Sequence, residues 1–245
     1  MDEMAKAYFI AKKDMGAYYL KPPLISWGLM LPIVFVFAFY LRNPVGIKEV
    51  VPGLIGLTLL FSCTSMAAIV ITFEKRIGAL ERLLLAPIEI RTILFGKALG
   101  SSVFGLIVTF FITIVIIPIM GLSVKYLFSF VLIIILSGIA FSLLGILISV
   151  GVKEVFEAMT MSNFFRFPMI FLCGVFFPIS SMPFPLPLLA YLLPLTYTVD
   201  GLKHSLLGYK GMIPLFLDLL ILLAFAIFLF SLSLFIFKKR IRQEF

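Results

Sequence analysis

Residues 50–76 read VVPGLIGLTLLFSCTSMAAIVITFEKR: 24 uncharged residues, Val50 to Phe73, followed directly by Glu74, Lys75 and Arg76. A helix needs roughly 20 mainly apolar residues to cross a bilayer, so this stretch reads as one crossing stopped by charge. The pattern recurs on both sides. Pro22 to Leu41 is uncharged between Lys21 and Arg42, Ala98 to Val124 between Lys97 and Lys125, and Tyr126 to Val152 up to Lys153. A further span starts after Glu157 with Arg166 in its first half, and the last ends at Lys238, Lys239, Arg240 and Arg242. The predicted spans are about 22–41, 50–73, 98–119, 127–150, 158–177 and 212–237. From Phe167 to Val199 there are 33 uncharged residues, too many for one crossing, and Pro178, Pro183, Pro185, Pro187 and Pro194 forbid a single continuous helix. Residues 178–205 are therefore predicted to form an external re-entrant hairpin, covered by protein where its backbone bonds are broken.

Composition leaves little else open. Of 245 residues, 62% are hydrophobic and 13% charged, and mean hydropathy is +1.21. Soluble domains carry about 25% charged residues, so a soluble or disordered chain is excluded. The expectation is an all-α polytopic membrane protein with six transmembrane helices and no large extramembrane domain. The net charge of +8 is scattered among short loops, which argues against nucleic acid as a partner. With both termini on the cytoplasmic side, that side holds 15 Lys/Arg and the other five, the bias of the positive-inside rule. Cys63 and Cys173 lie in apolar runs and read as reduced, small hydrophobes. No compact apolar segment with a cleavage site marks the first 21 residues, so a cleaved signal peptide is not expected.

Two segments look amphipathic rather than spanning. In residues 1–21, Met4, Tyr8, Ala11, Met15 and Tyr18 recur at helical spacing with Lys6 and Lys13 opposite, which predicts an interfacial helix. In the loop 74–97, Ile77, Leu80 and Leu84 make an apolar stripe and Glu74, Lys75, Glu81 and Arg82 a charged face, with Pro87 ending the helix. Catalytic machinery is missing: Gly96-Lys97 lacks the upstream glycine of a phosphate loop, and one His with two distant Cys makes no metal cluster. No enzyme activity, metal or cofactor of its own is expected of this chain.

The loop Glu74-Lys75-Arg76-Ile77-Gly78-Ala79-Leu80-Glu81-Arg82-Leu83-Leu84-Leu85-Ala86-Pro87-Ile88, closing on Gly96-Lys97, resembles the cytoplasmic loop of ABC-2 type permeases, the membrane subunits of a class of ABC transporters. Ala79 stands where that family commonly has Thr. Phe171-Leu172-Cys173-Gly174-Val175-Phe176-Phe177-Pro178 with Ser181-Met182-Pro183, and Leu193-Pro194-Leu195-Thr196-Tyr197-Thr198-Val199-Asp200-Gly201-Leu202, resemble the family's segments after span five. Cys173, Leu193 and Gly201 depart from its usual Ser, Asn and Ala. The resemblance implies a coupling helix around Glu74, Gly78, Leu80, Glu81, Leu84 and Pro87, seated in a groove of a separate ATPase subunit. Two such subunits would hold the ATP and Mg2+, and a second permease copy would complete a homo- or heterodimer in the plasma membrane, among its lipids. It also implies a translocation path where spans two and five face each other across that dimer. Span two offers Thr58, Ser62, Ser65 and Thr72 on one face; span five offers Asn163, Arg166, Cys173 and Phe177. For any single hydroxyl packing is the preferred reading, because it can also bond its own helix backbone. Pro178, Pro183, Pro194 and Tyr197 mark the re-entrant segment. Arg166 is expected to snorkel inward. Asp218, the intramembrane acid of the last span, either holds a cation or proton, or hydrogen-bonds a neighbour or reaches the outer interface, the structural role being preferred. The function expected is outward movement of an amphiphile, such as a drug-like molecule, lipid or glycan. The competing readings are an ion-coupled secondary transporter using Asp218 and Arg166, and a non-transporting membrane assembly protein.

Overall fold

A computed structural model describes residues 2–19, 30, 33–34, 37–38, 41, 47–209 and 211–244. Among them the regular elements are helical, with no strand. Apolar runs without water near their backbone must satisfy every N–H and C=O internally, which a helix does within its own segment. The α-helices are α1 (Glu3–Asp14), α2 (Ile47–Arg76), α3 (Ala79–Leu84), α4 (Ile90–Ile119), α5 (Leu127–Gly151), α6 (Val155–Leu172), α7 (Leu186–Tyr191), α8 (Pro194–Leu207) and α9 (Leu215–Glu244). A π-helical turn, Met15–Tyr19, continues α1. Among the described residues four helices are long and apolar enough to cross a membrane: Lys48–Arg76, Ile90–Ile119, Leu127–Gly151 and Leu215–Arg240. The span predicted at 22–41 falls almost wholly outside the described residues. The helix read as span five, α6, carries Glu157, Asn163 and Arg166 within 18 residues and is not among the four.

α2 is the hub. It packs on α4, α5, α6 and α8 and is buried along most of its length, whereas α9 is buried along only a small part of its own. The core along it is aliphatic, with Leu54, Ile55, Leu59, Leu60, Ala67 and Ile71 fully enclosed. Hydroxyls within this greasy interior bond their own helix: Thr58 Oγ1 donates to Leu54 O at 2.8 Å and Thr72 Oγ1 to Ala68 O at 2.7 Å. Close backbone approach rests on small residues. A Cβ on Gly145 of α5 would stand 2.5 Å from Thr64 O and 2.8 Å from the Ala67 methyl.

Several element limits depart from the sequence reading. α4 begins at Ile90, eight residues before the predicted span, because residues 90–97 continue the same helix. α6 stops at Leu172 rather than 177, where Gly174 takes φ +73° ahead of Pro178. Residues 178–205 hold a 3-10 turn (Ile179–Ser181) followed by α7 and α8. The prolines break the run as expected, and two of them also start the short helices: Pro194 is the first residue of α8, and Pro185 caps α7.

Gly145→Val is expected to cost about 1–3 kcal/mol through overpacking against α2, read as a lower midpoint in thermal unfolding of the detergent-solubilised chain. Gly151→Val, where nothing lies within 4 Å, is expected to leave the packing undisturbed and to melt nearer the parent.

Candidate functional site

The loop between α2 and α4 is built by one backbone reversal. α2 runs through Glu74 to Arg76, and Gly78 N donates to Lys75 O at 3.1 Å with φ +69°. That left-handed conformation suits a residue without Cβ. Gly78 O then accepts Arg82 N at 3.3 Å and starts α3. α3 lasts only six residues and ends at Leu84, before Pro87 is reached. Its apolar side turns inward: Leu80 is buried and Leu84 packs on the bundle core. Glu81 and Arg82 face outward, and Leu85 is 79% exposed beside them. Ile77, grouped with Leu80 and Leu84 by spacing, precedes the helix and is exposed.

Glu74 does not share the outward face of Glu81. It is fully buried, its Oε2 hydrogen-bonded by Lys97 Nζ of α4 and its Oε1 by Lys13 Nζ of α1 at 2.5 Å. Lys97 Nζ also donates to Asp14 Oδ2 at 3.0 Å, and Lys13 Nζ lies 3.0 Å from Asp14 Oδ1. Two acids and two lysines thus close a neutral quartet joining α1, α2 and α4. Burial works against the Lys13 charge, but the hydrogen bond it donates to Glu74 and the neighbouring acid charges outweigh it, so its pKa is raised. Beyond the quartet, Lys6 Nζ donates to Pro87 O at 3.1 Å, and Thr92 donates to Glu3. Glu3 is held below the usual carboxylate range by its hydrogen bonds from Lys6 and Thr92. α1 therefore ties both ends of the loop.

The side of α1 that meets the bundle is not the predicted stripe. Met4 and Tyr8 are exposed, while Ala7, Ile10 and Asp14 pack inward. Gly96 and Gly100 of α4 admit them: a Cβ on Gly96 would sit 2.8 Å from Ala7 O, and one on Gly100 3.3 Å from Ala11 Cα.

Arg166 does not snorkel. It is 4% exposed, and its guanidinium turns onto α2: Nε donates to Thr64 Oγ1 at 2.7 Å, Nη2 to Ser65 Oγ at 2.9 Å, and Nη1 to Asn163 Oδ1 at 3.4 Å. The Phe61 ring lies 4.8 Å away, within cation–π range. No acidic side chain pairs with Arg166 among the described residues. Thr58, Ser62 and Cys173 are buried within the single chain, whereas Phe177 is exposed. The polar stripe of α2 therefore faces this chain's own helices, including α6.

The segment 178–205 is fastened rather than loose. Pro178 is exposed and accepts from Ser181 Oγ at 2.7 Å. Pro183 O accepts Leu186 N at 3.0 Å ahead of α7. Tyr197 OH donates to Tyr191 O at 2.7 Å, and Ser137 and Thr198 share a hydrogen bond of 2.8 Å between α5 and α8. Asp200 accepts Met212 N at 2.8 Å, fixing the approach to α9. His204 stacks on Tyr126 at 5.3 Å. Asp218 is 1% exposed, and among the described residues neither carboxyl oxygen is hydrogen-bonded.

Sequence reasoning missed Lys13, Asp14, Lys97, Thr64 and Phe61. The acid–base doublet Lys13-Asp14 in an otherwise amphipathic helix was a signal for the quartet. The adjacent hydroxyls Thr64-Ser65 were the matching signal for a buried guanidinium.

Residues 6–207 match the sequence pattern of the family described as ABC-2 type transporter. Over 196 residues the chain is 25% identical to "Inner membrane transport permease YadH" of Escherichia coli (strain K12), an overlap covering 77% of this chain and 75% of that protein. The proteins of that name from Escherichia coli O157:H7 and Shigella flexneri match to the same extent.

Lys97→Met leaves two buried acids facing one lysine and is expected to destabilise by about 3–5 kcal/mol. The double variant Lys97→Met with Glu74→Leu removes an opposite pair and is expected to recover most of that loss, as read by thermal unfolding.

Proposed function

The chain belongs to the ABC-2 type transporter family, and from that premise we propose that it is the permease subunit of an ATP-driven exporter. It works with two separate ABC ATPase subunits, which carry the ATP and Mg2+, and with a second permease copy. Six spans, with residues 22–41 as the first and α6 as the fifth, place both termini in the cytoplasm and α7–α8 outside. An amphiphilic cargo moves outward along the paired permeases.

The observation that carries this reading is the two-sidedness of the α2–α4 loop. α3 buries Leu80 against its own bundle and presents Glu81 and Arg82 outward beside an exposed Leu85. A short helix anchored on one side and free on the other suits insertion into a partner's groove. A push on α3 meets no slack behind it. Gly78 links it directly to α2, and the Glu74–Lys97 contact with the α1 ties makes the ends of α1, α2 and α4 move together. Displacement at the loop then reaches α6 through Arg166, whose guanidinium holds Thr64 and Ser65 of α2. Residues Glu74 and Pro87 act within this transmission, and Glu81 makes the contact with the ATPase.

The ion-coupled alternative would have Asp218 and Arg166 act together, and Arg166 instead takes hydroxyl and amide partners. An assembly protein without transport has no specific observation in its favour.

The double charge reversal Glu81→Arg with Arg82→Glu is expected to weaken capture of the partner ABC ATPase subunit by about tenfold, equivalent to 1.4 kcal/mol, without lowering the thermal midpoint of the permease. Unchanged capture, together with unchanged ATP-driven accumulation of an amphiphilic dye in vesicles, removes α3 as the dock.

A further inference from the structure

At the end of the bundle that carries α1 and α3, a cleft of about 630 Å³ opens between the C-terminal ends of α2, α5 and α9. Its floor is apolar: Leu80, Val150, Val152 and Phe237 are each buried there. Its rim is cationic, with Lys75, Arg76, Lys153 and Arg240 against two acids, Glu81 and Glu154. Two of the cations are held in place by carbonyls at the C-terminal end of α5. Lys75 Nζ donates to Ser149 O at 2.5 Å, and Arg240 Nη2 to Gly151 O at 3.1 Å. Helix C-termini favour cations, so α5 presents this charge in a set position. Across the rim Arg76 and Glu154 meet only at 4.0 Å and both are exposed.

We propose that this cleft binds the headgroup of an anionic phospholipid, with the glycerol and first acyl carbons on the apolar floor. The chemistry fits on both counts. A free anion has no use for a floor of Leu, Val and Phe, and a neutral lipid has none for a rim with twice as many cations as acids. The position fits as well, because the cleft lies where three membrane-crossing helices pass from apolar to charged residues, the depth of a lipid phosphate. Basic pockets between spanning helices recognise anionic headgroups in this way. The inference requires only that the chain spans a bilayer; it does not depend on the direction of transport or on the ATPase.

The test uses the full chain purified alone and placed in nanodiscs of phosphatidylglycerol mixed with phosphatidylcholine, with retained lipid read by native mass spectrometry after detergent transfer. The parent chain is expected to retain phosphatidylglycerol over phosphatidylcholine. Lys153→Glu, at an exposed side chain that the fold does not require, is expected to lower that retention at least about fivefold, and Lys153→Arg to preserve it. The set Arg76→Ala, Lys153→Ala and Arg240→Ala is expected to remove the preference, while Lys12→Ala, Lys238→Ala and Lys239→Ala, an equal loss of charge outside the cleft, leaves it in place. Equal loss in both sets overturns the proposal, because general surface charge then accounts for the binding. So does full displacement of the lipid by inorganic phosphate, or unaltered lipid retention in Lys153→Glu accompanied by lost ATPase capture, which would make the cleft a protein dock.

Discussion

Lys97 is a lysine enclosed in a helix bundle, and its charge survives there only because Glu74 and Asp14 meet it. Isolated, each of these groups would cost several kcal/mol to remove from water. Together with Lys13 they form a closed set whose members come from three helices far apart in sequence. The arrangement fixes where α1 lies on α4, where α2 ends, and therefore where the α3 loop begins. Gly96 and Gly100 are the steric counterpart, letting α1 approach α4 until the charges meet. Helix positions set by an ion quartet are discrete, since a shift that breaks one pair leaves another charge uncompensated. Such an element suits the transmission of force from a soluble partner.

The same economy governs Arg166. Its guanidinium brings two hydroxyls of α2 into register with α6, and Phe61 covers its face. Hydroxyls that look like a polar path in projection are thereby divided by geometry. Thr58 and Thr72 bond their own backbone, Ser65 serves Arg166, and none of these three is left to greet a solute. The exposed surface of α6 is aromatic instead, with Phe156, Phe164, Phe167 and Phe171 turned outward. α7 and α8 add a compact cover whose prolines sit at helix starts, where a missing N–H costs nothing.

How much was legible in advance follows from which interactions are local. The apolar runs ended by charge, the short charged helix after Gly78, and the motif triplet that marked the family could all be read from order along the chain, because each depends on neighbours in sequence. Solvent-exposed charge was legible at Glu81 and Arg82 but not at Glu74, which has the same residue type at the same helical spacing. The difference lies in what faces it, Lys13 and Lys97, and these stand 61 and 23 residues away. The prolines were legible as breaks, since no single helix runs through residues 167–199, but not that Pro194 would open a new helix at its first turn.

Sequence alone thus determined the class of solvent this protein lives in, since hydropathy is a sum over residues and needs no partner to be evaluated. It determined too the presence of a loop helix charged on one side. Only the tertiary structure decided which charges are buried with each other and which are offered outward, that α1 rather than another helix accepts Gly96 and Gly100, and that Arg166 belongs to α2. Those outcomes depend on electrostatics and contact at a few ångströms between residues the chain order keeps apart, and such distances come into being only when the helices pack.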